Sequence, residues 1–239
     1  MSHSEEKLGA DYMTRSHPIF RLAGNASLRV RRRAYEWFSA AAGGIAGKTI
    51  LDRGAMPDTL PVDGNSLTRW MPEDGAAVLA ASPVDISHLP SAISDLEIVA
   101  WPPEEHIERR VDIVVSSSVV QHVGGREAQV AYLGSLASLA GSLFLTTPNR
   151  RHWLEFHTKL PFLHWLPKPL RRRILVALGL TFWASEINPN LLTRTELDAL
   201  LDEAIGGRRG LHVRRWFETR FLGQVSNVAA LAAWPPRIR

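Results

Sequence analysis

"VDIVVSSSVV", residues 111–120, is the strongest apolar run of the chain, and it turns polar abruptly at Ser116. Val111, Ile113, Val114 and Val115 leave no consistent polar face. A strand of this kind fits only between two covering layers, as in a parallel sheet with helices on both sides. The same pattern recurs outward from it. "KTILD" (48–52) is a short buried strand. "AAVLAASPVDIS" (76–87) offers a second near Ala77 to Ala81, ending at Pro83 and Asp85. "DLEIVAW" (95–101) is a third, closed by Pro102 and Pro103, and "SLFLTTP" (142–148) is a fifth, stopped by Pro148.

Helical spacing fills the gaps. "ASLRVRRRAYEWFSAAAGG" (26–44) predicts a helix with Leu28, Ala34, Tyr35 and Phe38 on or near one side, stopped by Gly43 and Gly44. "EAQVAYLGSLASLA" (127–140) predicts another, ended by Gly141, and "RRRILVALGLTFWA" (171–184) a short one. In "LLTRTELDALLDEA" (191–204), Thr193 with Glu196 three positions later spells a capping box. "LHVRRWFETRF" and "VSNVAALAAW", joined around Gly223, predict an antiparallel ending to the sheet. Residues 1–25 are polar and predict a frayed start, and the insert "TLPVDGNSLTRWMPEDG" (59–75) contains no recognisable helix. The expected organisation is an N-terminal helical extension (1–47) followed by one α/β domain (48–239) with a cap insertion at about 150–190.

Of the 239 residues, 45% are hydrophobic and 22% charged, an ordinary globular balance. No stretch approaches the roughly 20 apolar residues that span a bilayer, and the N-terminus lacks a signal-peptide layout. With no cysteine, disulfides, thiolate metal sites and a cysteine nucleophile are excluded. A cytoplasmic protein is the default. The net charge of +4 is concentrated in "RVRRR" (29–33), "RRR" (171–173) and "RRGLHVRR" (208–215). Such runs are either solvated faces or sites for anionic partners, and no nucleic-acid motif accompanies them.

In open α/β sheets ligands bind beyond the carboxyl ends of the strands, where strand order reverses. Four places qualify: the turn after "ILD" (Arg53 to Asp58), Asp85, the tip of the fourth strand (Ser116 to His122), and Thr146 to Arg150. Gly54 lets a turn pass close to a ligand, or simply makes it tight.

These places carry a resemblance. "ILDRGAMPD" (50–58) is similar to the glycine-poor "LDVGVTPD" form of the first motif of class I S-adenosylmethionine-dependent methyltransferases carrying a methyltransferase type 11 domain. "VDIVVSSSVVQHV" (111–123) resembles that group's "FDVVFSNAVIEHV". "LFLTTPNRRHWLEFHTKLPFLHWLPKPLRRRIL" (143–175) resembles its fifth-strand-and-cap signature, and the likeness continues to Leu201. It implies a Rossmann-like fold with a mostly parallel seven-stranded sheet and an antiparallel last strand. The implied cofactor is S-adenosylmethionine, held by Asp52, Gly54, Asp58, Asp85 and Ser117.

Two readings stand at several of these positions. Asp85 accepts hydroxyls of a ribose or caps a helix beginning at Ile86. The family's acid after the third strand is missing from "IVAWPPEE" (98–105), where Trp101 is either a core residue or a ring that stacks on adenine. His122 and the pair Glu155 and His157 are candidate bases, since imidazole titrates near neutral pH and a carboxylate orients it; the alternative is packing. His152, Glu155 and His157 are too irregularly spaced for a metal site.

The cap combines Arg150, Arg151, Lys159 and Lys168 with Trp153, Phe156, Phe162 and Trp165. This suits a substrate with apolar and anionic parts, such as a lipid-linked or phosphorylated glycan precursor, with Arg150, Trp153 and His164 contacting it. The stretch Leu170 to Trp183 is amphipathic enough to rest on an anionic membrane; a lid packing its aromatics on the sheet is the plainer role. The expected activity is methylation of a small molecule, on oxygen. The rival is a catalytically inactive binding or scaffold protein of the same fold.

Overall fold

The computed structural model describes residues 18–57, 65–107, 111–154, 160–179, 184, 190–206 and 213–233. In chain order it forms α1 (Pro18–Ala41), β1 (Thr49–Arg53), α2 (Ser66–Glu73), β2 (Ala77–Ala81), β3 (Leu96–Ile98), α3 (Pro103–His106), β4 (Val111–Ser117), α4 (Arg126–Leu139), β5 (Ala140–Pro148), α5 (Lys168–Ala177), α6 (Arg194–Leu201), β6 (Val213–Phe221) and β7 (Gln224–Ala233). The seven strands make one sheet in the order β3-β2-β1-β4-β5-β7-β6. β7 runs antiparallel to both neighbours, and the pairings among β1 to β5 are parallel.

Ile50 and Leu51, adjacent on β1 and fully buried, belong to two separate hydrophobic cores. Successive strand residues leave on opposite faces, so each strand feeds both layers. Val114, Leu143 and Leu145 join Leu51 on the side covered by α4 and α6. Ile113, Val115 and Phe144 join Ile50 on the side covered by α1 and α2. There Phe38 of α1 stacks on Phe144 at 4.3 Å, and the Tyr35 hydroxyl donates to Asp74 Oδ2 at 2.6 Å. The expected sheet, with its antiparallel last strand, is the observed one.

Four local expectations are corrected. The first helix starts at Pro18, ahead of Ala26, because proline at the first helical position has its φ preset and loses no helical bond. The insert does contain a helix, α2, although its entry residue Asn65 sits at φ 51° without a side-chain cap bond and Pro72 lies near its end. β3 is confined to Leu96–Ile98, short of Trp101. Gly141 lies inside β5, which begins directly after α4. The capping box at α6 is present: the Glu196 N–H donates to Thr193 Oγ1, and the Thr193 N–H donates to Glu196 Oε2.

Candidate functional site

From β1 the chain moves outward through β2 to β3, then returns to place β4 on the other side of β1. The switch point therefore lies between the carboxyl ends of β1 and β4, floored by the loops that leave those strands.

Asp52 is buried on the α2 side and accepts the Thr68 hydroxyl at 2.5 Å. Burial pushes its carboxyl up to about 6, against the Thr68 hydrogen bond. Gly54 then turns at φ +133°, and a Cβ there would lie 2.3 Å from Val119 Cγ2. The glycine thus lets the loops after β1 and β4 touch. Beyond it, Asn65 clamps Met56 with both amide groups, donating to its carbonyl at 2.7 Å and accepting its N–H at 2.9 Å. His88, from the loop after β2, donates to the Pro57 carbonyl at 2.6 Å. Asp58 lies outside the described residues.

Asp85 is exposed four residues past the end of β2, and its Oδ1 accepts the Ser87 N–H at 2.9 Å. That hydrogen bond, with the Ser87 hydroxyl, holds the carboxyl below its usual range. No helix starts at Ile86; the next turn is a 3₁₀ segment, Leu89–Ser91, so the cap is a local loop cap.

Trp101 is not a core tryptophan. It is 41% exposed, and its ring centroid lies 4.9 Å from the guanidinium of Arg53. Arg53 shares its face of β1 with Leu51 and is buried against α4. It pairs with Glu104 at 2.7 Å, donates to Ser135 Oγ at 2.5 Å, and lies 5.1 Å from the Tyr132 ring centroid. Trp101 follows β3, so reaching Arg53 carries its indole across the end of β2 to the end of β1.

At the β4 tip, Ser116 is buried with its hydroxyl 2.7 Å from Tyr132 Oη, while Ser117 Oγ lies 2.9 Å from Thr146 Oγ1 on β5. Burial pushes the Tyr132 phenol up to about 12. Gln121 is fully buried: it donates to the Ser118 carbonyl at 2.8 Å and accepts the Thr147 hydroxyl at 3.2 Å. Its main-chain carbonyl receives the Asn190 N–H at 2.8 Å, tying the return from the cap to the switch-point loop. His122 ends a 3₁₀ turn, Val120–His122, that also holds Gln121; it is partly exposed, with its N–H on the Val119 carbonyl.

In the cap, Arg150 pairs with Glu196 at 2.7 Å. Partial burial raises the Glu196 carboxyl, but hydrogen bonds from Thr193 and the Arg150 charge hold it below its usual value. The Arg150 carbonyl accepts His164 Nε2–H at 2.9 Å and Trp165 Nε1–H at 3.0 Å. A cleft of about 430 Å³ lies among Arg150, Arg151, His164 and Trp165. Trp153 stands apart from that cleft, ringed by His152 and Phe162. Glu155 and His157 fall outside the described residues. Among the described residues no cluster of metal ligands occurs, and no helix is long and apolar enough to cross a membrane.

The structure thus groups Gly54 and Ser117 about the switch point, with Asp85 on the loop tied to it through His88. It sets Arg150 and His164 together in the cap and leaves Asp52 beneath the floor. Sequence reasoning missed Arg53, Glu104, Tyr132 and Asn190. The one available signal was Arg53, a charge at the end of an apolar strand.

No family model and no curated protein matches the sequence. Solved structures do match in fold. The 1,6-didemethyltoxoflavin-N1-methyltransferase of Burkholderia thailandensis, with 1,6-didemethyltoxoflavin and S-adenosylhomocysteine bound, is 15% identical with a TM-score of 0.58, covering 99% of this chain and 92% of that one. Magnesium protoporphyrin IX methyltransferase of Synechocystis, with S-adenosylmethionine bound, is 13% identical with a TM-score of 0.55, covering 98% and 99%. The N-methyltransferase NodS of Bradyrhizobium japonicum is 10% identical with a TM-score of 0.51, covering 86% and 96%. The chain has the Rossmann-like fold of these methyltransferases.

Proposed function

We propose that this protein is an S-adenosylmethionine-dependent methyltransferase of a small molecule, a divergent relative of the methyltransferase type 11 group. The observation that carries the reading is the β3-β2-β1-β4-β5-β7-β6 order, with the exposed Met56, Asp85 and Trp101 on the loops that leave β1, β2 and β3 in turn. These residues fit the cofactor. Asp85 is an exposed carboxylate with acceptor capacity for a ribose diol beside its bonds to Ser87, and Trp101 offers an exposed ring as a platform for adenine, in place of the missing acid. The immobilised turn from Gly54 to Pro57 supplies backbone for the methionine end.

A bound sulfonium supplies an already activated methyl group, so the chain needs chiefly to align a nucleophile and exclude water. His122, at the wall after β4, and Glu155 with His157 in the cap are the bases for a hydroxyl substrate, giving O-methylation. The cleft of Arg150, Arg151, His164 and Trp165 receives an anionic, partly apolar substrate, such as a phosphorylated or lipid-linked glycan precursor.

A second reading, an inactive scaffold, draws on Val119 lying over Gly54 and on the buried Arg53–Glu104 pair beside the crevice. Titration calorimetry with S-adenosylhomocysteine separates the two. Saturable one-site binding is expected; no heat at about 1 mM ligand, the millimolar regime of a weak site, leaves the scaffold reading ahead.

A further inference from the structure

Nine large apolar side chains are exposed among the described residues, and six of them lie on the cap and the β6–β7 hairpin: Phe162, Trp165, Leu170, Val176, Leu178 and Leu222. Contacts of neighbouring residues link the segments that carry them. His152 Nε2–H donates to the Phe221 carbonyl, next to Leu222, and the His152 ring stacks on Trp153 at 5.7 Å. Trp153 meets Phe162, and Phe162 meets Trp165 at 5.1 Å. Leu163 and Leu175 then share a small buried core that seats α5 beneath its exposed Leu170 and Val176.

The charge on this part of the chain is predominantly positive. Residues 150–184 carry seven arginines and lysines against a single acid, Glu155. Arg172 and Arg173 are exposed on α5 between Leu170 and Val176. β6 runs in the same direction as β5, so Phe221 and Pro148 end at the same edge of the sheet, the edge that holds the switch point.

We infer that this face docks on an anionic lipid bilayer, with the aromatic and aliphatic side chains entering the headgroup boundary and the arginines meeting lipid phosphates. Alternation of apolar and basic residues on one short helix suits a bilayer surface; a nucleic-acid face would pair its cations with phosphates and gain nothing from exposed Leu170, Val176 and Leu178. Docking in this way turns the crevice edge toward the membrane, so that a substrate could be taken from it. The docking does not depend on methyl transfer, and absence of cofactor binding would leave it standing.

The test is co-sedimentation of the full chain with vesicles of phosphatidylcholine alone or with about one third phosphatidylglycerol, a composition that gives a negative surface. Sedimentation with the anionic vesicles only is expected. The triple variant Leu170→Ser, Val176→Ser, Leu178→Ser and the double variant R172E/R173E should each lower the bound fraction about tenfold or more while keeping the wild-type melting temperature. If the apolar variant misfolds, Leu222→Ser, at the hairpin tip, provides the second arm and should lower binding severalfold. Failure of the wild type to sediment with anionic vesicles at low salt overturns the inference. So does retention of duplex nucleic acid, with a steep salt dependence, in place of the vesicles.

Discussion

The Arg53 guanidinium lies 4.9 Å from the centre of the Trp101 ring while forming a 2.7 Å ion pair with Glu104. Trp101 and Glu104, from the loop and the short helix α3 that follow β3, are thereby fastened to the end of β1, across the width of β2. Arg53 is almost fully buried and Glu104 is a quarter exposed, so removing the cation strands a carboxylate that water only partly reaches. Arg53→Leu should destabilise the fold by about 2 kcal/mol, below the roughly 3–5 kcal/mol for breaking a fully buried pair because Glu104 is partly solvated. A double-mutant cycle in urea with Glu104→Gln measures the coupling, and a cycle that closes at zero rejects it.

The same arrangement fixes one face of Trp101 and leaves the ring 41% exposed. Stacking of a base on an aromatic ring is worth about 1–3 kcal/mol by alanine substitution. Trp101→Ala should therefore weaken S-adenosylhomocysteine binding by roughly 5- to 150-fold in calorimetry, with Trp101→Phe close to wild type. Equal affinities for wild type and Trp101→Ala would remove Trp101 from the site, and a wild type that binds nothing would instead count against the proposed function.

Much of the fold was legible because strands buried on both faces, such as Ile113 to Val115, read as unbroken apolar runs, and because Thr193 and Glu196 form a cap within four residues. What stayed hidden is long-range. Asn65 is a residue type that caps helices, yet at the start of α2 its side chain is spent on Met56 rather than on the helix's own amides, a use no local pattern announces. Nothing local in "AWPPEE" says that Glu104 will meet Arg53. Only a partner brought in by the sheet order turns a charge at a strand end into a buried pair.

Gly54 should tolerate no side chain. A Cβ would stand 2.3 Å from Val119 Cγ2, and φ +133° is strained for any L-residue. Gly54→Ala should cost about 2–4 kcal/mol, the sum of overpacking and backbone strain. Adding Val119→Ala relieves the clash but not the φ, so recovery of about half is expected in thermal or urea denaturation. Full recovery would mean the backbone term is negligible, and none would mean Val119 is not the obstacle.

Asp52 gives the stability curve a slope of predictable sign. Its folded value, about 6, lies above the 3.8 of an unperturbed carboxyl, because burial opposes the charged form. Between those two values the folded chain holds a proton that the unfolded chain has lost, so stability falls as pH rises across about 4 to 6 and then levels off. The loss from this group is of order 2–3 kcal/mol at one pKa unit per 1.36 kcal/mol. Asp52→Asn still accepts the Thr68 hydroxyl and should remove that part of the slope. Denaturation midpoints for the two proteins at several pH values read it directly, and identical slopes would rule out the burial of a titrating Asp52.

Gln121 stands where the resembling group's motif carries Glu, and the structure explains why this chain needs the amide. Its NH₂ donates to the Ser118 carbonyl at 2.8 Å while its carbonyl accepts Thr147, and the side chain has no access to water. A carboxylate keeps the second bond but turns the first into a repulsion between two acceptors, in a place where the charge is also desolvated. Gln121→Glu should cost about 2–3 kcal/mol at pH 7, and its deficit should shrink on acidification as the new carboxyl protonates and regains a donor for Ser118. Gln121→Leu loses both bonds at every pH, so its deficit should stay flat. Parallel pH profiles for the two variants would show that the Ser118 contact contributes nothing.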